Sequence, residues 1–518
     1  MSVLNAGWLQ TIEPQQLGFT LLSLLAVALA YISLRPHRHS DMPYLNRPAK
    51  LDLFGQKTRQ HFALNARNLM AEGRRLFKGN PYRLFTDLGD LVVIPSRLVD
   101  DVRNEPNLSF MGFFVDNFHP DIPGFDGFKF DGRKDKLPHR TTNKTLTKFL
   151  NKIIAPLSSE ATFATSHVLG TSSEWQEAPI MDTMLELIAR LSSRVFLGEN
   201  LCRNEDWLAI TKSYSVNATV AGDLLRQYPK WFRPFACNLV PQCRELQKQV
   251  VNARQLLAPL LQKRKEDRDT ALTRGEPEPF YDDTIQWLVE ESQGSPYDPV
   301  GAQLGFSVVA THPTSDLVTE TMLRLVERPE LINSVIKEIE EVLKAEGWTK
   351  TALYNTKLLD SVIKEAQRLK PLTSATMNRK ALERVTLPGG LVLKKGDRCM
   401  SDLGSMMDPS IYPNPDEFDG YRFFRMRGDP KTDSKAHLVS TSSAHLGFGH
   451  GKHAYPGRFS AANEVKLLLC HLLYKYEWKL AEGYVHKVTE FGLALFPNNE
   501  AMISFRKRQN LALDIDSL

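Results

Sequence analysis

The spacing of apolar residues predicts a mostly helical protein. In the middle of the chain, apolar side chains recur every three or four residues, as expected for amphipathic helices. The segments with this spacing are residues 145–157, 180–197, 209–225 and 243–268. Another helix is predicted over residues 62–77, the clearest strand lies at residues 91–94, and the turn-rich segment 387–396 is typical of a small hairpin. The pattern favours a mostly α fold with small β-sheets.

One uninterrupted apolar run lies near the N-terminus. Residues 17–34 carry no charge and are just long enough to cross a bilayer as a helix. Arg35 and Arg38 follow the run, and no Lys or Arg precedes it, so the positive-inside rule places the bulk of the chain in the cytosol. A cleaved signal peptide would carry its positive charge before the run. We expect residues 1–39 to be a single-pass membrane anchor and residues 40–518 to form the main domain.

Residues 110–130 are rich in phenylalanine but show neither helical nor strand periodicity. Seven Phe side chains stand among Gly and Pro residues, which predicts an irregular aromatic loop. Such a loop can fill a core, or it can line a cavity for an apolar ligand.

Composition and charge exclude some classes of function. The chain has 518 residues and a net charge of +5, and its basic residues are spread rather than clustered, which gives no support to nucleic-acid binding. The five cysteines show no C-x-x-C spacing, so we expect free thiols rather than disulfides or a cysteine metal site.

Two further segments carry candidate chemistry. Residues 301–325 have the pattern of a long apolar helix, interrupted near Pro313, a residue type that supplies no N–H and kinks helices. Residues 448–464 begin with a Gly-rich loop and continue after Pro456 with helical spacing. Glycine lets a backbone pass close to a flat ligand, and proline suits the first turn of a helix. The second segment has the geometry for presenting one side chain to a cofactor.

The Gly-rich loop resembles the haem-binding loop of the cytochrome P-450 (haem-thiolate monooxygenase) family, Phe-Gly-x-Gly-x-His/Arg-x-Cys-Pro-Gly-Arg. The matching positions are Phe448, Gly449, Gly451, His453, Pro456, Gly457 and Arg458. The family's Cys, the ligand of the haem iron, is replaced by Tyr455. The resemblance implies haem as cofactor, with Tyr455 at the axial-ligand position. Because a Tyr oxygen lies roughly 3–4 Å further from its Cα than a Cys sulfur, Tyr455 would collide with the porphyrin plane on an unchanged backbone.

The central apolar segment is similar to a second family motif. Many filamentous-fungal members carry Ala-x-His-Thr-Thr-Ser-Asp, whose first Thr helps to deliver protons to bound oxygen. His312 and Thr314 match this motif, but Pro313 replaces the first Thr. The resemblance therefore implies that the proton-relay hydroxyl is absent and that these three residues mark the catalytic segment.

A third motif concerns the scaffold. Glu365 and Arg368 match the family's Glu-x-x-Arg motif, and Arg422 would complete a buried network with them. The resemblance also implies two sets of binding residues. The set expected to contact haem is Arg140, Arg379, Phe448 and His453, and the set expected to line the substrate pocket is Phe113, Phe114 and Phe118.

The resemblance covers essentially the whole chain and implies the cytochrome P-450 fold behind a single transmembrane helix. It further implies an endoplasmic-reticulum membrane protein that acts on a lipophilic small molecule in secondary metabolism. A flavin reductase would be the redox partner if the reaction is oxidative.

Three hypotheses about function stay open at this point. In the first, oxygen activation is impaired and the cavity performs a non-oxidative step such as cyclisation or isomerisation, with His312 and Tyr455 facing the cavity as acid–base groups. In the second, the protein is a haem monooxygenase or peroxygenase with Tyr455 as axial ligand, as Tyr is in catalase. In the third, it is a non-catalytic binding protein or an inactive family member.

Overall fold

The computed structural model describes residues 42–52 and 55–518. The predicted membrane anchor at residues 1–39 lies outside this range. Within the described range, no helix is long and apolar enough to cross a membrane.

Eighteen helices make up most of the described chain, and they are numbered here in chain order. The first nine are α1 Gln56–Phe77, α2 Val99–Val102, α3 Phe110–Phe118, α4 Asp126–Asp131, α5 Leu137–Arg140, α6 Thr147–Leu169, α7 Ile180–Leu197, α8 Glu205–Arg226 and α9 Arg233–Ala236. The second nine are α10 Pro241–Arg274, α11 Thr284–Ser292, α12 Pro299–Val326, α13 Pro329–Glu346, α14 Lys350–Asn355, α15 Lys357–Leu369, α16 Arg422–Arg427, α17 Asp433–Ala436 and α18 Arg458–Lys475. A π-helical turn at Thr141–Leu146 joins α5 to α6.

Thirteen short strands within the described residues form four small sheets. The strands are β1 Tyr44–Leu45, β2 Tyr82–Thr86, β3 Gly89–Ile94, β4 Leu108–Ser109, β5 Gln176–Pro179, β6 Ala375–Ala381, β7 Val385–Thr386, β8 Val392–Leu393, β9 Arg398–Asp402, β10 Tyr476–Leu480, β11 Thr489–Phe491, β12 Ala494–Phe496 and β13 Met502–Lys507. The largest sheet has the order β1-β2-β3-β9-β6-β4, and a second has the order β10-β13-β5. Two hairpins, β7-β8 and β11-β12, complete the set.

Helix α12 is the centre of the fold. It begins at Pro299, because the carboxylate of Asp298 accepts the N–H of Val300 at 3.0 Å and proline is favoured in the first turn. Helices α7, α4 and α8 pack around it, so it is buried on most sides. The crossing with α4 depends on glycine: a Cβ at Gly305 would lie 2.9 Å from the carbonyl oxygen of Gly127.

Most predicted elements are present, with two differences. The helix predicted over residues 180–197 is α7, and the strand at residues 91–94 lies within β3. The aromatic stretch at residues 110–130, predicted to be irregular, instead contains α3 and α4. Helix α3 forms because the Ser109 hydroxyl caps its first turn by accepting the Gly112 N–H at 2.9 Å. Helix α12 is also continuous through Pro313 rather than interrupted there.

Candidate active site

A cavity of about 760 Å³ lies between α12, the loop before α18 and the aromatic helices α3 and α4. Its wall is mostly apolar and carries ten phenylalanine side chains. These are Phe110, Phe113, Phe114, Phe118, Phe125, Phe128, Phe306, Phe448, Phe491 and Phe496. The rings of Phe118 and Phe128 stack 5.2 Å apart between centroids. All three phenylalanines expected from the sequence to line a substrate pocket, Phe113, Phe114 and Phe118, border this cavity.

The loop before α18 has the tight backbone that its glycines predict. Gly449 and Gly451 adopt φ angles of +69° and +77°, which side chains with a Cβ rarely adopt. A Cβ at Gly451 would also lie 2.7 Å from the Cβ of Arg103. The loop closes on itself, because the backbone N–H of Tyr455 donates to the carbonyl of Phe448 at 2.9 Å. This geometry fixes where the Tyr455 side chain leaves the loop.

The Tyr455 side chain bridges the loop and the central helix. Its hydroxyl donates to the carbonyl oxygen of Val309 on α12 at 3.2 Å. In a regular helix that carbonyl would accept the N–H of the residue four positions later. That residue is Pro313, which has no N–H. Tyr455 therefore supplies a hydrogen bond to a carbonyl that Pro313 leaves without its helical partner.

The Tyr455 ring can extend from the loop to α12 because the residue beside it, Gly457, has no Cβ. A Cβ at Gly457 would lie 2.6 Å from the Tyr455 hydroxyl oxygen and 2.7 Å from the ring carbon that bears it. The ring also stacks on Phe448, with the centroids 6.2 Å apart. Burial raises the pKa of Tyr455 far above its usual value, and the nearby carboxyl groups of Glu464 and Asp131 raise it further. The phenol is therefore a neutral hydrogen-bond donor.

Two buried carboxyl groups line the same cavity. Burial raises the pKa of Glu464 to about 7, although the Ser192 hydroxyl donates to its Oε1 at 2.7 Å and so opposes the shift. Burial likewise raises the pKa of Asp131 to about 7. Both groups can therefore exchange a proton near neutral pH.

Asn378 and His453 border the cavity at one edge, and Arg379, which follows Asn378, does not border it itself. Burial lowers the pKa of Arg379 to about 10, and its Nε has no hydrogen-bond partner in the described structure. The Oδ1 of the neighbouring Asn378 is also buried without a partner among these residues. Burial, together with the nearby Arg379 charge, lowers the pKa of His453 to about 4. A β-bulge places Asn378 here, since β6 shifts register against β9 between Thr376 and Arg379.

The scaffold network predicted from the sequence is formed. Arg368 donates from Nε and Nη2 to the two carboxylate oxygens of Glu365, both at 2.8 Å. Arg422 donates from Nε to the same carboxylate at 3.0 Å. Arg368 also donates to the carbonyl of Pro415 at 2.7 Å. All of these charges are buried and paired, so the network ties α15 to the segment that leads into the Gly-rich loop.

Two residues expected at the site from the sequence lie elsewhere. The expectation that His312 faces the cavity is wrong, because its ring nitrogen Nε2 contacts the carbonyl of Lys212 on α8 at 2.8 Å. Arg140 does not border the cavity either, since its Nη2 donates to the carbonyl of Glu291 at 3.0 Å. Pro313 and Thr314 do line the cavity.

Some cavity residues were not found by sequence reasoning. Asp131, Glu464 and His139 all border the cavity. A signal existed for Asp131, because this acidic residue directly follows the phenylalanine-rich stretch and stands between Phe130 and Gly132. Glu464 follows the Gly-rich loop at helical spacing, where its burial could not be judged without the packing of α7.

The sequence of this chain is similar to those of known proteins. Residues 111–505 match the sequence family described as cytochrome P-450. The chain is 42% identical over 505 residues to cytochrome P-450 monooxygenase eqxH of Fusarium heterosporum, covering 97% of this chain and 96% of the relative. It is 38% identical over 496 residues to cytochrome P-450 monooxygenase hepE of Aspergillus oryzae, covering 95% and 90%.

A third relative and a solved structure agree with these matches. The chain is 37% identical over 514 residues to cytochrome P-450 monooxygenase adrA of Penicillium rubens, covering 98% of this chain and 99% of the relative. The crystal structure of the cytochrome P-450DA haem domain superimposes with a TM-score of 0.67 over 90% of this chain and 97% of that one. At 16% identity, this likeness concerns the fold alone.

Proposed function

This chain belongs to the cytochrome P-450 family, and on that basis we propose that its cavity converts a lipophilic small molecule by a step that does not activate oxygen. The step is a cyclisation or isomerisation in secondary-metabolite biosynthesis. We also propose that residues 17–34 anchor the protein in the endoplasmic-reticulum membrane, with the main domain in the cytosol. The contact that carries this proposal is the hydrogen bond from the Tyr455 hydroxyl to the Val309 carbonyl.

Membership implies haem as the family's cofactor, and the residues present fit it only in part. The unpartnered Nε of Arg379 is a charged donor and suits the carboxylate edge of such a group, whereas the unpartnered Oδ1 of Asn378 is an acceptor and does not. Tyr455 does not suit it. Its ring lies against Gly457 and its hydroxyl reaches α12, so the side chain occupies the space between loop and helix that a flat macrocycle would need.

The apolar wall and two proton-holding groups can perform the proposed step. The phenylalanines bind and orient an apolar substrate and exclude water from it. Tyr455 holds its proton on the phenol oxygen and can donate a hydrogen bond to a substrate oxygen in place of the Val309 carbonyl. Glu464, with a pKa of about 7, can accept a proton at its carboxylate. Moving a proton from one substrate atom to another needs no electron donor.

A second candidate is a haem monooxygenase or peroxygenase with Tyr455 as axial ligand and a flavin reductase as partner. The observation that favours it is the unpartnered Nε of Arg379, a charged donor with the chemistry to hold a carboxylate. It requires Tyr455 to leave Val309 and lose its proton, and no basic side chain of the described residues lowers the pKa of Tyr455.

An anaerobic assay decides between the two candidates. The purified full-length protein is incubated without oxygen or electron donor with the lipophilic extract of a strain lacking the gene, and the products are followed by mass spectrometry. The proposal predicts a product with the same elemental composition as the metabolite consumed. Tyr455→Phe should lose most of this turnover, whereas His312→Ala is the matched control outside the cavity and should retain it. A product that appears only with oxygen and an electron donor, and that has gained an oxygen atom, would reject the proposal.

A further inference from the structure

Asp131 is a carboxyl group at the wall of the cavity, and one of its two oxygens has no hydrogen-bond partner among the described residues. It is the last residue of α4, which is held against α12 by the close contact of Gly127 with Gly305. A Cβ at Gly305 would lie 3.1 Å from the Oδ1 of Asp131, so the carboxyl group itself lies against α12. Its other oxygen, Oδ2, is fully buried and has no hydrogen-bond partner in the described part of the chain.

The neighbouring basic residues are turned to other partners. Arg133 donates from Nε to Asp135 at 3.0 Å and from Nη1 to the carbonyl of Pro296 at 3.1 Å. Lys129, on the same helix, is exposed. Burial raises the pKa of Asp131, and no basic side chain of the described residues offsets that shift.

Other acidic groups at the cavity have a basic or hydrogen-bonding neighbour. Asp87 also borders the cavity with a buried Oδ1 that lacks a hydrogen-bond partner among the described residues, but the charges of Arg226 and Arg59 oppose the rise in its pKa that burial causes. The Lys370 ammonium is paired with Asp316, and Arg226 is paired with Asp223. Glu464 accepts from the Ser192 hydroxyl. A buried carboxyl group without a counter-charge is costly to the free protein, and a positive charge brought by a ligand would remove that cost.

Aromatic rings around Asp131 also suit a positive charge. The Phe306 ring borders the cavity. It packs on Phe130, with centroids 5.6 Å apart, and the Phe130 ring, which does not border the cavity, lies beside the same point of α12 as the carboxyl group. Phe114 lies 3.5 Å from a Cβ built at Gly132, the next residue. Ring faces attract cations, most strongly where water is excluded. A carboxylate framed by rings is a recognition site for an organic cation rather than for a metal ion, which needs several oxygen or nitrogen ligands.

We propose that Asp131 anchors a cationic nitrogen of the substrate, which makes the substrate class a lipophilic molecule with a protonated or quaternary amine. The carboxylate pairs with the nitrogen while the phenylalanines hold the apolar remainder. This rests on the proposed function only in taking the cavity as the substrate's binding site, and it holds whether or not the reaction uses oxygen.

Binding of a matched pair of probes tests the assignment. The first probe is trimethyl(4-phenylbutyl)ammonium, which has a permanent charge and no lone pair with which to bind iron. The second is its neutral carbon isostere, with tert-butyl in place of the trimethylammonium group. Both are titrated calorimetrically into the full-length wild type, Asp131→Asn and Asp135→Asn. Asp135 is an exposed acid four residues later that does not line the cavity, and it serves as the matched control.

The expected result is a selective loss. Asp131→Asn should weaken binding of the cation by about tenfold or more, as for other pairs with a charged group, and should leave binding of the isostere within about threefold. Asp135→Asn should change neither. The assignment is overturned if wild type binds the cation no better than the isostere, or if Asp131→Asn weakens both equally. Binding of the isostere without preference for the cation would leave the lipophilic cavity of the proposed function in place, whereas saturable binding of neither probe would overturn both.

Discussion

We expect Tyr455 and Pro313 to be energetically coupled, because the Tyr455 hydroxyl bonds the Val309 carbonyl that Pro313 leaves without its helical N–H. We expect Tyr455→Phe to remove the 3.2 Å hydrogen bond to Val309 and to change little else, since the ring and its contact with Phe448 remain. A hydrogen bond of this kind contributes about 1 kcal/mol to the free energy of unfolding. In the Pro313→Ala background, the new backbone N–H can bond the Val309 carbonyl within the helix. In that background the Val309 carbonyl already has a helical partner, so the hydrogen bond from the Tyr455 hydroxyl should contribute less to the free energy of unfolding.

A double-mutant cycle measures this coupling. Urea unfolding of the full-length protein, followed by circular dichroism, gives the free energy of unfolding of wild type, the two single variants and the double variant. We expect Tyr455→Phe to cost about 1 kcal/mol in the wild-type background and close to nothing in the Pro313→Ala background. Pro313→Ala by itself should stabilise the helix, by up to about 3 kcal/mol.

A second tyrosine provides the control. The Tyr474 hydroxyl accepts the Leu513 N–H at 2.9 Å, far from Val309 along the chain. Tyr474→Phe should therefore cost the same in the wild-type and in the Pro313→Ala background, within the ~0.3–0.5 kcal/mol expected for independent sites. If Tyr455→Phe is additive with Pro313→Ala within that same margin, the reasoning that links the two residues is refuted.

Three other predictions follow from the structure and the sequence. Glu365→Gln leaves the buried Arg368 and Arg422 without their carboxylate and should cost about 3–5 kcal/mol in urea unfolding; a loss under about 1 kcal/mol would contradict the buried network. The pKa of Glu464 is raised by burial from 4.5 to about 7, so folded protein keeps a proton that unfolded protein has released, and the stability from this group is lost as pH rises through that window. Glu464→Gln should therefore gain up to about 3 kcal/mol relative to wild type between about pH 5 and pH 8, and a pH-independent difference would contradict this. Deleting residues 1–39 should release the protein from membranes, and resistance of the truncated protein to carbonate extraction would reveal another membrane element.

The fold was largely predictable because its signals are local. The helix over residues 180–197 has regular apolar spacing, and the pair Glu365 and Arg368 is adjacent on one helix face, so both are visible in short windows of sequence. The helices in residues 110–130 were missed because most positions there are apolar, glycine or proline, and the few polar residues do not repeat with a helical period. Ser109 as the cap of α3 was the overlooked signal.

The site was predictable only in part, because its contacts join distant segments. The bond between Tyr455 and Val309 connects positions 146 residues apart, and the sequence gives no sign of it. The direction of His312 was equally hidden, since α12 is buried on most sides and its composition does not distinguish the side facing the cavity from the side facing α8. Asn378 takes its place through a β-bulge, whose register shift depends on the partner strand.

The visible spectrum of the reduced protein under carbon monoxide tests the central claim most directly. That claim is that, with Tyr455 and Pro313 in these two positions, the cavity holds no thiolate-ligated haem and does not activate oxygen. Purified wild type should lack the far-red-shifted Soret band of a thiolate-ligated haem, because none of the five cysteines lies in the loop. The variant with Tyr455→Cys and Pro313→Thr removes the side chain that crosses to α12 and restores the backbone donor, and it should gain the band. The band in wild type would contradict the account.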